Sequence, residues 1–133
     1  MSEFKLIIVT PDGIEFDGVA ESVVVRTTVG DVGILSNHAP FAAALSTGEA
    51  KIQINGIKRF AACSGGVISA DKEGVRIVAD TFEWADEIDV VRAENARDKA
   101  RKVIDSSNDS SQIDKAKIKL LRAITRIGVA NNK

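Results

Sequence analysis

The hydrophobic pattern of this chain changes period once, near Ile88. Before that point apolar residues alternate with polar ones. After it they recur every three or four positions. A period of two belongs to a strand with one buried face, and a period near 3.6 belongs to a helix with one apolar stripe. The chain therefore divides into a β part, residues 1–87, and a helical part, residues 88–133. The sharpest local signal lies in the first part. Ala50-Lys51-Ile52-Gln53-Ile54 alternates strictly, Asn55-Gly56 follows, and Ile57-Lys58-Arg59-Phe60-Ala61 resumes. Asn-Gly between two such runs predicts a tight hairpin, because both turn residues tolerate positive φ.

Other strands follow the same logic. Phe4 to Thr10 is rich in β-branched residues and stops at Pro11-Asp12-Gly13. Val19 to Val29 predicts a second strand, Gly30-Asp31-Val32-Gly33 a turn, and Ile34-Leu35 a short continuation. Gly66 to Ala70 and Gly74 to Val78 form another pair joined by Asp71-Lys72-Glu73, with Cys63-Ser64-Gly65-Gly66 as a tight turn before it. Short strands with no helices between them imply an antiparallel sandwich or barrel. Beyond Ile88, Ala93, Ala96, Ala100 and Val103 share one face of a helix over Asp89–Ile104, which Asp86 or Asp89 caps. A polar turn, 105–111, leads to a second helix. Ser111 and Asp114 resemble a capping box at its start, and Gly128 predicts its stop. The expected fold is an all-β N-terminal sandwich or barrel plus a C-terminal antiparallel two-helix hairpin, α+β overall.

Charge divides at the same place. Seven basic and thirteen acidic side chains lie through Glu87, and eleven basic and six acidic beyond it. On the second helix Lys115, Lys119, Arg122 and Arg126 fall on one face, with no acidic residue after Asp114. This points to an anionic partner. Nucleic acid is disfavoured, because the stripe has no aromatic side chain for stacking and the chain carries a net charge of −1. On the first helix Asp89, Arg92, Ala96 and Lys99 share a face. A hairpin that folds back brings Arg92 and Lys99 towards Arg122 and Arg126.

Catalytic chemistry is sparse. His38 is the only histidine, Cys63 the only cysteine, and tyrosine is absent. There is no phosphate-binding Gly-rich loop and no metal-ligand spacing. Ser64 does not satisfy the Gly-x-Ser-x-Gly pattern of a nucleophile elbow. Cys63 sits in Phe60-Ala61-Ala62-Cys63 and reads as a buried small hydrophobe in a reducing compartment. The first apolar stretch contains Glu3 and Lys5, unlike a signal peptide. Phe60 to Ile68, the longest apolar segment, is interrupted by Ser64, Gly65 and Gly66 and is too short to span a membrane.

Several segments, taken in order, carry a family resemblance: Leu6-Ile7-Ile8-Val9-Thr10-Pro11-Asp12-Gly13, the run from Gly30 through Ser36-Asn37-His38-Ala39-Pro40 to Phe41, Ser64-Gly65-Gly66-Val67, Ile77-Val78-Ala79-Asp80, and Glu87-Ile88-Asp89-Val90-Val91-Arg92-Ala93. Together they resemble the epsilon subunits of bacterial F-type ATP synthases. The resemblance implies a non-catalytic rotor subunit, peripheral at the cytoplasmic face of the cell membrane and attached to it through the complex alone. It implies a sandwich that meets the gamma subunit and the c-ring, with Asp31, Ile34, Leu35, His38 and Phe41 at an interface. It also implies a hairpin that lies compact or extends towards the alpha and beta subunits, where Lys115, Lys119, Arg122 and Arg126 meet acidic partners and hydrolysis is blocked. No cofactor is required. ATP is implied as a regulatory ligand held by Glu83, Ile88, Asp89, Arg92, Ala93, Lys99, Arg122 and Arg126. Lys99 stands where the family's ATP-binding pattern has arginine, which replaces a planar fork with a point charge and implies weaker binding.

Overall fold

The computed structural model describes residues 2–132. Eight strands precede two helices: β1 (Phe4–Thr10), β2 (Gly13–Ala20), β3 (Ser22–Thr27), β4 (Gly30–Leu35), β5 (Phe41–Ala44), β6 (Gly48–Ile54), β7 (Ile57–Asp71), β8 (Gly74–Trp84), then α1 (Val90–Ser106) and α2 (Ser110–Ala130). The pairing order is β2-β1-β8-β7-β6-β3-β4, with β5 also paired to β7. The first half of β7 pairs with β6 and its second half with β5, while β8 follows it along nearly its whole length. The β7–β8 ribbon thus runs through both layers and joins them into a sandwich. The layers enclose a core in which Ile8, Val23, Ile52, Ile68 and Ile77 are fully buried.

Local chemistry accounts for the elements. Asn55 and Gly56 adopt φ of 52° and 77°, the turn expected between β6 and β7. At Gly66, φ is 93° and an added Cβ would lie 1.9 Å from the Val78 carbonyl oxygen, so glycine is required where the ribbon passes from one layer to the other. The expected tight turn at Cys63–Gly66 is replaced by continuous strand, because β8 supplies ladder partners on both sides of Gly65. The predicted Val19–Val29 strand is instead split between β2 and β3, and the predicted turn at Gly30–Gly33 is strand β4, paired to β3. The sandwich is also not wholly antiparallel. β1 and β8 pair in parallel, which a long connection through the rest of the domain allows.

Asp89 caps α1, its carboxylate accepting from the Arg92 N–H at 3.0 Å. Asp109, not Ser111, caps α2, accepting from the Ser111 N–H at 2.9 Å. α2 does not stop at Gly128 but continues to Ala130. A glycine inside a helix costs about 1 kcal/mol. Burying Val129, with Ala130 beside it, contributes about 2 kcal/mol and outweighs that cost. α1 packs on α2, and α2 packs on β6 and β7. The seam between the helices is made of Ala93, Ala100, Ala116 and Ala123, all buried. A second small cluster holds the hairpin to the sandwich: Val129 and Ala130 against Ala62, Ala85 and Ile88, bordered by Phe60 and Val90.

Candidate functional site: a cationic groove in the docked hairpin

Because α2 lies between α1 and the sandwich, its basic stripe faces two cavities. The larger, of about 600 Å³, is a groove between the helices. Its floor is apolar, with Ala96, Ala100, Ala116 and Ala123, and its rim carries Lys99, Lys115, Lys119, Arg122 and Arg126. The smaller, of about 190 Å³, lies beneath α2 against the sandwich and is lined by Thr47, Ser64, Thr81, Glu83 and Thr125 among others. Arg122 and Arg126 border both cavities.

These two arginines are anchored differently. Arg126 Nε lies 2.6 Å from Glu83 Oε1, an ion pair in which both side chains are about one-third exposed or less. The N–H does not point along that contact, so Nε is buried without an in-line hydrogen bond. The attraction there is Coulombic, with charge cancelled on both sides. Arg122 Nε donates to Ser64 Oγ at 3.1 Å, and Ser64 Oγ lies 2.7 Å from Thr47 Oγ1. Among the described residues no carboxylate pairs with Arg122, so its charge stays uncompensated.

The other residues expected to hold a nucleotide are distributed around this groove. Asp89 is committed to capping α1. The Arg92 side chain is exposed at the first turn and makes no ion pair among the described residues. Ile88 belongs to the pad beneath α2, and Ala93 is fully buried in the helix seam. Lys99, Arg122 and Arg126 are therefore brought together with Glu83 behind them, while Arg92 stands at the end of α1. Sequence reading missed Thr47, Ser64, Thr81 and Thr125. Ser64 lies 58 positions from Arg122, and no short-range pattern links them.

Of the residues expected at an interface, Ile34 is in the core, Phe41 packs against it, and Leu35 is 65% exposed. Asp31 pairs with Arg26 at 2.5 Å, and the hydrogen bond from the guanidinium holds its carboxyl below the ordinary range. His38 sits between two carbonyl oxygens, Nδ1 2.9 Å from that of Leu35 and Nε2 2.8 Å from that of Asp71. A neutral imidazole donates to one of them at a time. An edge-to-face contact with Phe4 holds the ring. Cys63 is buried, and burial first, with Asp80 nearby, pushes its thiol up to about 12. Among the described residues no group of three or more His, Cys, Asp or Glu gathers to hold a metal, and no helix is long and apolar enough to cross a membrane.

Comparison with known proteins matches both parts of the chain. The family model described as the ATP synthase delta/epsilon chain beta-sandwich domain matches residues 3–85, and that described as the long alpha-helix domain of the same chain matches residues 86–131. An ATP synthase epsilon chain of Ruminococcus albus is 41% identical over 134 aligned positions, covering 100% of both chains. One from Staphylococcus saprophyticus is 38% identical, covering 98% of both. In fold, the chain resembles part of the Euglena gracilis mitochondrial ATP synthase, a structure containing OSCP, F1 and c-ring, with a TM-score of 0.82 at 22% identity over 94% of this chain and 79% of that one. A chain of the Tetrahymena thermophila mitochondrial ATP synthase central stalk and c-ring gives a TM-score of 0.64 at 15% identity, covering 96% of both. With relatives matched over their full length and both domains in order, the chain belongs to the ATP synthase epsilon-chain family.

Proposed function

We propose that the chain is a non-catalytic rotor subunit in the central stalk of an F-type ATP synthase, coupling ion translocation to ATP synthesis and restraining ATP hydrolysis through its hairpin. The observation that carries this reading is the full-length match to bacterial epsilon chains, sandwich and hairpin both included. The sandwich, 1–87, is the anchoring unit that meets the gamma subunit and the c-ring. The hairpin, 88–133, is the regulatory unit, and in this docked arrangement part of its basic stripe is held against the sandwich by Ser64 and Glu83. Alpha and beta subunits become partners of that stripe when the hairpin leaves the sandwich. The subunit reaches the cytoplasmic face of the membrane through the complex. The test is affinity capture of the tagged chain from its own cells. Gamma, alpha and beta subunits should co-purify in fixed proportion, and their absence would overturn the assignment.

The groove supports a second role, reversible binding of ATP without turnover. Five basic side chains surround an apolar floor, which suits a polyphosphate beside a flat base. None of the groove's side chains forms a nucleophile–base pair that would activate a water, so hydrolysis is not expected there. Binding across both helices stabilises the compact form by RT ln(1 + [L]/Kd), ~2.7 kcal/mol at a hundredfold excess over Kd. Isothermal titration of the isolated chain with ATP should show saturable heat that Arg126→Ala removes. The absence of heat and of any melting-temperature shift at millimolar ATP would refute this role.

A further inference from the structure

Ser64 is 4% exposed, one of two buried polar residues among those described. Its hydroxyl oxygen accepts from Arg122 Nε. Its own proton is then available to Thr47 Oγ1, 2.7 Å away. This short relay, from β7 to the segment before β6, grips Arg122 by Nε alone and leaves the two terminal nitrogens of the guanidinium uncommitted to Ser64. Those are the nitrogens that form a planar fork for a phosphate. Because Arg122 borders both cavities, a grip from beneath α2 fixes the direction of a side chain that also opens into the groove above. The partner is a neutral hydroxyl, so the grip orients the cation without cancelling its charge. Glu83 does the opposite to Arg126.

We propose that Ser64, backed by Thr47, is a positioning residue for nucleotide phosphates held in the hairpin groove, acting through Arg122. The inference rests on the reading of that groove as an ATP site. It makes the sandwich a contributor to ligand affinity although it lies on the far side of α2. When the hairpin leaves the sandwich, Arg122 loses its anchor and regains rotamer freedom, so polyphosphate affinity falls. By reciprocity, a bound polyphosphate favours the docked hairpin.

The test is a double-mutant cycle on the full chain, read by titration with ATP and, separately, with inorganic triphosphate. Ser64→Ala should weaken both ligands about tenfold, the scale of one hydrogen bond to a charged group. Thr47→Val should weaken them less. In an Arg122→Gln background, Ser64→Ala should have no further effect. Exchange protection of α2 should remain as in the parent, since the Val129 pad is intact. Unchanged affinity in Ser64→Ala, or the same loss in both backgrounds, would overturn the positioning role. So would a loss of affinity matched by a loss of α2 protection. Failure of the unaltered chain to bind either ligand would instead remove the groove reading, and this inference with it.

Discussion

The hairpin is held to the sandwich by little apolar surface, and Val129 is the largest fully buried side chain in that contact. Val129→Ala deletes two methyl groups, each worth about 0.8 kcal/mol of transfer free energy, and leaves a small void that adds to the loss. The expected cost is about 2 kcal/mol, since Ala62, Ala85 and Ala130 around it are too short to fill the gap. All of it falls on docking, because the sandwich core is a separate cluster. At 1.4 kcal/mol per tenfold, the undocked population should rise about thirtyfold. Native-state thiol labelling reads this directly. Ala130→Cys, made in a Cys63→Ala background, places a reporter in the pad that reacts only when the hairpin opens. Adding Val129→Ala should speed labelling about thirtyfold while the urea midpoint of the strands stays put. Equal labelling rates, or a parallel fall in sandwich stability, would refute the view that the pad is an independent and weak latch.

Other perturbations test other parts. Gly66→Ala should destabilise the sandwich by at least ~2 kcal/mol in urea unfolding, because it combines a φ of 93° with a 1.9 Å clash on the Val78 carbonyl oxygen. Cys63 should resist thiol reagents in the native chain at neutral pH. Its folded-state value lies above the unfolded one, so its stabilising contribution is complete below about 8.5 and is lost as pH rises towards about 12. Urea midpoints at pH 7 and 10 should therefore differ less in Cys63→Ala than in the parent. Asp31→Lys combined with His38→Ala should lower the melting temperature modestly, since Asp31 is exposed but the half-buried His38 bridges two backbone carbonyls, and should loosen attachment of the catalytic head to membranes. Unchanged membrane binding in that variant would count against an interface at these residues.

The helical part was the more legible because its signals are local. The alanine spacing and the Asp89 cap follow from neighbours within one or two turns. The β6–β7 hairpin was legible for the same reason, since Asn55-Gly56 encodes its own geometry. Edge strands were not. β2 contains Gly13, Gly18 and two acids, Glu15 and Asp17, and β4 begins Gly-Asp-Val-Gly. Composition of that kind is tolerated where one flank of the strand is unpaired. Gly128 misled because the burial that carries the helix past it comes from Ala62 and Ala85, far away in sequence. The groove divided in the same way. Its cations lie on one helix face and could be read from spacing, but the hydroxyls that orient Arg122 lie on the sandwich and only folding brings them near.

In the proposed role the sandwich anchors the subunit while the hairpin regulates it. The direct measurement is ATP hydrolysis by the assembled synthase carrying a chain ended at Glu87, compared with the full chain across a range of ATP concentrations. The shortened chain should still co-purify with the complex, because the sandwich keeps its whole core. Hydrolysis should rise, most at low ATP, where the full-length hairpin would be least held in the docked form. Equal hydrolysis by both complexes at every ATP concentration, or failure of the shortened chain to assemble, would contradict that role.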